Sequence, residues 1–441
     1  MKSCSHPQPS VPVCPPVGRR MHFLASGASL ATLGTLLGLA SSNAQEALRY
    51  SLAGEAASES RRVRLEGMPY NLRAGDLRVY WVPSLSLDWN DNVQLTEGSQ
   101  EDDFILRPNL TIAASYPLTQ KNLLTLDVGL GYSHYFDHSE LSRWYARSGS
   151  QIAFDFFVGD FAFNLHDRFS YTQDATLEPA VAGTGEYGQF QNTAGIAVTW
   201  DLQDVTATLG YDHLNTISTE DTFQQTDRMS EMVVSRAGFR LHPELTAGVE
   251  GTASFTSYHE KLLNDNQGYS AGLFADYRPG HYFSIAPRAG YSFYFFDQTS
   301  DVAIAEDVDA WYADITISHQ PTEVITYNVS IGHEIRLGVQ SDAIESTYAR
   351  TSASWAVLKQ FSLTTGFSYE HGEESGGNLR DPAGQANGET YDYFGGDIGI
   401  GYSRWKRVSM SLNYRFTLRA SDDASRDYTQ NMVSFSISYR S

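Results

Sequence analysis

Cysteine is almost missing from this chain of 441 residues; only Cys4 and Cys14 occur, both close to the N-terminus. Everything after them is without a disulfide, a thiol nucleophile or a Cys-based metal site. Beyond residue 44 there is also no run of about eighteen apolar residues, which excludes a membrane protein built from spanning helices. The mean hydropathy of -0.34 is that of a soluble protein. It is equally that of a chain in which only alternate strand residues meet lipid. Bases are scarce as well: 31 Lys and Arg stand against 52 Asp and Glu, for a net charge of -21. Lys2, Arg19 and Arg20 are the only charged residues in 1–44, so the remainder carries 28 bases against 52 acids, or -24. Nucleic acid is therefore excluded as a partner.

The N-terminus has the composition of an export signal. Arg19-Arg20 precede an apolar, small-residue stretch over 23–40, and Ser42-Asn43-Ala44 offers a small-x-small cleavage site. This order predicts a secretory signal peptide over 1–44. Residues 45–76, with Arg61, Arg62 and Arg64 among Glu and Ser, show no sustained period. They read as a periplasmic N-terminal extension, with a disordered linker as the alternative.

What is abundant is alternation. Over 408–419, Val408, Met410, Leu412, Tyr414, Phe416 and Leu418 interleave with Ser409, Ser411, Asn413, Arg415, Thr417 and Arg419. A strand of this pattern is apolar on one face and polar on the other. Its length exceeds the soluble average and matches the roughly 9–11 residues that a tilted strand needs to cross a bilayer. The same pattern recurs from residue 77 onward, most cleanly over 77–90, 104–116, 123–136 and 325–337. Short connections such as Val158-Gly159-Asp160, His242-Pro243-Glu244 and Gln320-Pro321-Thr322 alternate with long polar ones. The count is about eighteen strands; ragged patterns near 205–216 and 343–357 keep sixteen open. Both numbers are even, which puts both termini on one side.

The expected fold is all-β: a transmembrane antiparallel up-and-down β-barrel over 77–441, with short turns toward the periplasm and long loops outside. Tryptophan placement agrees with this. Trp89, Trp144 and Trp311 fall near long loops, and Trp200, Trp355 and Trp405 near short turns, as two interfacial girdles require.

Candidate chemistry is confined to the inward face. Alternation points Arg107, Asp127, Arg168, Arg288, Glu334, Arg336, Arg415 and Arg419 into the lumen as candidate pore-lining residues. Asp88, Asp212, Glu250, Asp276, Asp314 and Glu370 face the same way. These charges read either as pairs bracing the wall or as the selectivity surface of an aqueous path, and both signs are present. His134, His166, His213, His281 and His333 stand singly, and no phosphate loop or zinc motif occurs. No catalytic, cofactor or metal residues are therefore assigned, and no enzyme activity is expected. Acid clusters such as Glu101-Asp102-Asp103 and Asp422-Asp423 form a solvated outer rim; a divalent-ion role is the alternative.

The stretch Leu85-Ser-Leu-Asp-Trp-Asn-Asp-Asn-Val-Gln-Leu95, followed by Asp103-Phe-Ile-Leu-Arg-Pro108, resembles the opening of the putative β-barrel porin-2 family. The resemblance implies an outer-membrane barrel; some members are tied to exopolysaccharide biosynthesis and export, which makes saccharides one candidate class of cargo and leaves the substrate open. It carries over no catalytic residues. The chain departs from many outer-membrane barrels in ending Tyr439-Arg440-Ser441 instead of on an aromatic residue.

Two main readings of function follow, with a barrel enzyme, built on a Ser/His/acid cluster at the outer rim, as the lesser third. One is a bacterial outer-membrane porin or export channel passing hydrophilic solutes, with membrane lipids and the barrel assembly machinery as partners. The other is a plugged structural or surface-binding barrel, its lumen filled by long loops at 173–188 or 371–388.

Overall fold

A computed structural model describes residues 70–119, 121–379, 388–405 and 407–440. The expected signal peptide, and the extension up to residue 69, lie outside these described residues. Within them, β1 (Leu72–Ala74) folds back on the start of β2 (Leu77–Asn90). There follow β3 (Asp103–Pro117), β4 (Leu123–Tyr135), β5 (Arg143–Val158), β6 (Phe161–Thr172) and β7 (Gln189–Asp201). Next come β8 (Val205–Ser218), β9 (Arg228–His242), β10 (Leu245–Tyr258), β11 (Asn266–Tyr277), β12 (Phe283–Phe296) and β13 (Val308–Thr322). The last six are β14 (Ile325–Leu337), β15 (Ser341–Leu358), β16 (Phe361–Asn378), β17 (Thr390–Trp405), β18 (Val408–Ser421) and β19 (Tyr428–Tyr439).

From β2 to β19 each strand pairs antiparallel with its neighbours in the chain. β19 then pairs with β2, from Met432↔Asn90 to Ser438↔Ser84, and closes an eighteen-strand ring. Closure satisfies every edge, the condition for strands to stand in hydrocarbon. The alternation sorts as expected. On β18, Leu412 and Tyr414 are exposed outward, while Ser411, Thr417 and Arg419 are buried inward. Neighbouring strands continue the apolar outside with Ile398, Ile400, Val433 and Phe435. An apolar surface that encircles the molecule is a liability in water and the correct surface in lipid.

Strands outrun the expected bounds mostly at their long-loop ends, β13 and β17 also at their short turns. β15 begins at Ser341 and β16 ends at Asn378, both eighteen residues long. There the strands pack against connections, which bury polar and apolar residues together, so alternation fades while the hydrogen-bond ladder continues. Consequently the connection between β14 and β15 is only 338–340, although it lies on the long-loop side. The β13–β14 turn is also tighter than expected, because Thr322 already pairs with Ile325.

The interior is not uniformly wet. One apolar cluster joins Leu95, Ala175, Val181, Tyr187, Phe223, Val339, Ile344, Tyr391, Tyr393 and Tyr428. These residues come from connections and strand ends all around the ring, so they meet inside the barrel at its long-loop end. A second cluster packs Tyr294, Phe296, Ile335 and Leu337 beneath the 297–307 connection.

Candidate functional site

The segment that shapes the lumen is 173–188, between β6 and β7. Unlike its acidic counterparts it is rich in small apolar residues: Ala175, Leu177, Pro179, Ala180, Val181 and Ala182. Asp174 caps a single 3-10 turn over Ala175–Leu177, its carboxylate accepting from the Thr176 amide at 3.1 Å. The chain then crosses the barrel to the opposite wall as a strap. Tyr393 donates its hydroxyl to the Thr176 carbonyl at 2.8 Å. Arg336 meets Glu178 at 2.7 Å, and Arg419 donates through Nε to the Pro179 carbonyl at 2.8 Å. Arg426 donates to the Ala180 carbonyl, and the Gly183 amide returns to the Leu95 carbonyl at 2.9 Å.

The wall prepares these contacts. Arg336, on β14, is 4 % exposed and holds Glu370 at 2.9 Å and the Tyr391 hydroxyl at 3.0 Å as well as Glu178. Arg419 is fully buried beside Glu389 at 2.6 Å, and its guanidinium lies 4.8 Å from the centre of the Tyr391 ring. Burial disfavours a charged Glu389 carboxyl, but Arg419, Ser421 and Arg426 outweigh it and hold its pKa below the usual carboxylate range. Buried charges on this scale persist only when partnered on all sides, and here they are.

Under the strap, on the β2–β5 and β18–β19 side, lies a cavity of about 550 Å³. Its lining runs from Tyr80, Ser438 and Arg440 at the short-turn end to Asn90, Gln430 and strap residues 173–177 at the long-loop end. One flank is a ladder of hydroxyls, with Ser409 facing Ser438 at 2.7 Å and Ser411 facing Ser436 at 2.6 Å. The other flank carries Tyr135 and Tyr145. Tyr145 lies against Gly131, where a Cβ would collide with its ring.

Of the residues expected to line a pore, Arg107, Asp127 and Arg415 lie on this cavity. Arg107 pairs with buried Asp88 and donates to Ser133 at 3.3 Å. Asp127 pairs with Arg147, and Arg415 approaches Asp174 of the strap at 3.7 Å. The other five sit elsewhere. Arg336 and Arg419 are buried beneath the strap, while Arg288 is tied to Asp314 at 2.8 Å in the β12–β13 wall. Glu334 is buried on β14, and Arg168 is half-buried on β6. His166 is part of the wall too, reaching Asp212 at 2.5 Å and Asn164 at 2.8 Å. It spans from β6 to β8 over Gly195, which stands between them in register and has no Cβ to obstruct the contact.

Alternation did not reveal Arg147, because it is read only from residue 148, whereas β5 begins at Arg143 and passes through an irregularity between Ala146 and Ser150, where Gly149 takes a positive φ of 81°. Nor did it reveal Glu178, which lies on a connection. The apolar run beside Glu178 was the available signal.

The barrel is similar in fold to solved structures of about one tenth sequence identity. Acinetobacter baumannii OccAB3 matches at 10 % identity and TM-score 0.47, over 83 % of this chain and 100 % of that one. Pseudomonas aeruginosa OccK2 (OpdF), in complex with glucuronate, matches at 10 % and 0.46, over 82 % and 98 %. Pseudomonas aeruginosa OpdQ matches at 11 % and 0.47, over 83 % and 100 %. No curated protein matches the chain. The family whose description is "putative beta-barrel porin 2" matches residues 69–441, and the chain belongs to that family.

Proposed function

We propose that this protein is a passive channel of the bacterial outer membrane for hydrophilic solutes, saccharides among them, exported with the 1–44 leader and folded by the barrel assembly machinery. The observation that carries this reading is the cavity: lined by charged residues, serines and asparagines, reaching from the short-turn end up to the strap, inside a barrel whose outside is apolar. In this reading Arg107, Asp127 and Arg415 belong to the pore wall. Arg288, Arg336 and Arg419 instead hold the wall and the strap. The 173–188 strap narrows the outer end of the path.

Purified protein in planar bilayers and in solute-loaded liposomes tests the proposal. Stepwise conductance and osmotic swelling with small sugars are the expected results; neither conductance nor uptake overturns it. The apolar cluster under the strap favours a second reading, a permanently plugged barrel. That reading requires a silent wild-type protein and conductance only after residues 175–183 are removed.

A further inference from the structure

The cavity holds charges of both signs in nearly equal number, so their count decides little. Their presentation to water differs. Asp127 is 45 % exposed and its partner Arg147 30 %. Asp174 is 36 % exposed and its partner Arg415 17 %. In the third pair Asp88 is sealed at 2 % and Arg107 reaches 22 %. The remaining charge, Arg440, stands at the short-turn rim, on the last described residue.

In two of the three pairs the carboxylate is the member turned toward solvent. The arginine is the less exposed member in each, Arg415 markedly and Arg147 by a smaller margin, so a mobile ion meets less of its field. A charge facing water acts on passing ions through the intervening solvent, and a buried one acts mainly on its partner. Asp174 adds position to exposure: it sits where the strap begins, at the outer end of the cavity, beside the wall residue Arg415.

We infer that the channel prefers cations, and that Asp127 and Asp174 set this preference while Arg147 and Arg415 position them. The inference rests on the channel reading of the preceding section and adds to it the sign of the permeant ion. The outer rim carries Glu101, Asp102 and other acids, which would bias entry in the same direction from outside the cavity.

Reversal potentials across a potassium chloride gradient separate these cases. The wild type is expected to favour potassium. A unit charge felt across about 6 Å of water changes local ion concentration roughly threefold. Potassium falls and chloride rises by about that factor, so Asp127→Asn and Asp174→Asn should each lower the potassium-to-chloride permeability ratio roughly tenfold, and the double variant more. The amide that replaces the Asp174 carboxylate retains an oxygen for the Thr176 N–H, so the strap keeps its cap. A rim variant, Glu101→Gln with Asp102→Asn, should leave most of the preference in place. Chloride preference in the wild type, or a ratio unchanged in the double variant, overturns the inference while the channel stands. The inference is equally overturned if the rim variant alone abolishes the preference. Complete absence of conductance overturns the channel reading and this one with it.

Discussion

Replacing Glu178 by Gln tests whether the strap is held by its buried ion pair with Arg336. Glu178 is 14 % exposed and Arg336 4 %, at 2.7 Å. Removing one member of a buried pair costs about 3–5 kcal/mol when the other is left alone. Arg336 is not left alone, since Glu370 remains at 2.9 Å and the Tyr391 hydroxyl at 3.0 Å. The glutamine side chain also keeps an acceptor for a neutral hydrogen bond. The loss is then the difference between a charge-assisted and a neutral bond, about 2 kcal/mol. At tenfold per 1.4 kcal/mol, the ratio of docked to released strap falls roughly thirtyfold. Hydrogen exchange of the 175–183 amides in detergent reads this directly, without relying on any transport activity. Faster exchange there, with barrel amides unchanged, is the expected result. In single-channel records the same variant should show more frequent transitions to a larger conductance. Exchange at 175–183 indistinguishable from wild type refutes the argument. The strap would then be held by its carbonyl contacts to Arg419, Arg426 and Tyr393 and by its apolar face.

Three other perturbations probe the surrounding structure. Arg419→Lys keeps the charge but offers a point where a planar fork is needed. It should lose the bonds to the Pro179 and Arg426 carbonyls, lowering stability in guanidinium by about 3 kcal/mol, whereas an unshifted transition would contradict the packing. A Cβ at Gly372 would strike the ring of Tyr391, which is 1 % exposed. Gly372→Ala should therefore cost about 1–3 kcal/mol of overpacking, seen as a lower temperature for loss of the compact band on unheated gels. His138, between β4 and β5, is opposed by burial yet held above its ordinary pKa of 6.5 by Asp103 and Glu101. A raised folded-state value means that its contribution is complete below the unfolded value and is lost as pH rises through the folded one. Proteolytic nicking at 136–142 should thus increase from about pH 6 to pH 8, and His138→Gln should remove that dependence.

The barrel was legible because lipid imposes a period on every spanning strand. Leu77–Asn90 and Ile325–Leu337 have the bounds that their alternation predicted. Legibility ended where lipid ended. The outer ends of β15 and β16 are covered by connections, with Ser341 and Asp342 fully buried and Glu374 buried, and nothing in Ser341-Asp342 or Glu373-Glu374 announces a strand. Arg147 escaped the inward list for a different reason, since the alternation is read only from residue 148 onward and β5 begins at Arg143.

Arg415 and Arg419 show the deeper limit. They stand four residues apart on the same face of β18, and alternation treats them alike. Arg415 borders the cavity with the strap's first acid near it, while Arg419 is enclosed by Glu389, the Arg426 carbonyl and the Pro179 carbonyl. Period fixes which side of the wall a residue occupies; depth along the strand and the cover above it are set by connections from elsewhere in the chain. That cover comes from 173–188, which is some 240 residues away in sequence from Arg419. A connection folds inward when it carries apolar surface that the lumen can bury, and Ala175 to Ala182 supplies it. An inward-facing arginine in such a barrel therefore belongs to the pore wall only if no apolar connection is long enough to lie over it. The 297–307 connection, acid-rich but carrying Ala303 and Ala305, seals Phe296, Ile335 and Leu337 in the same way, so apolar surface on the connection decides and not the absence of acids.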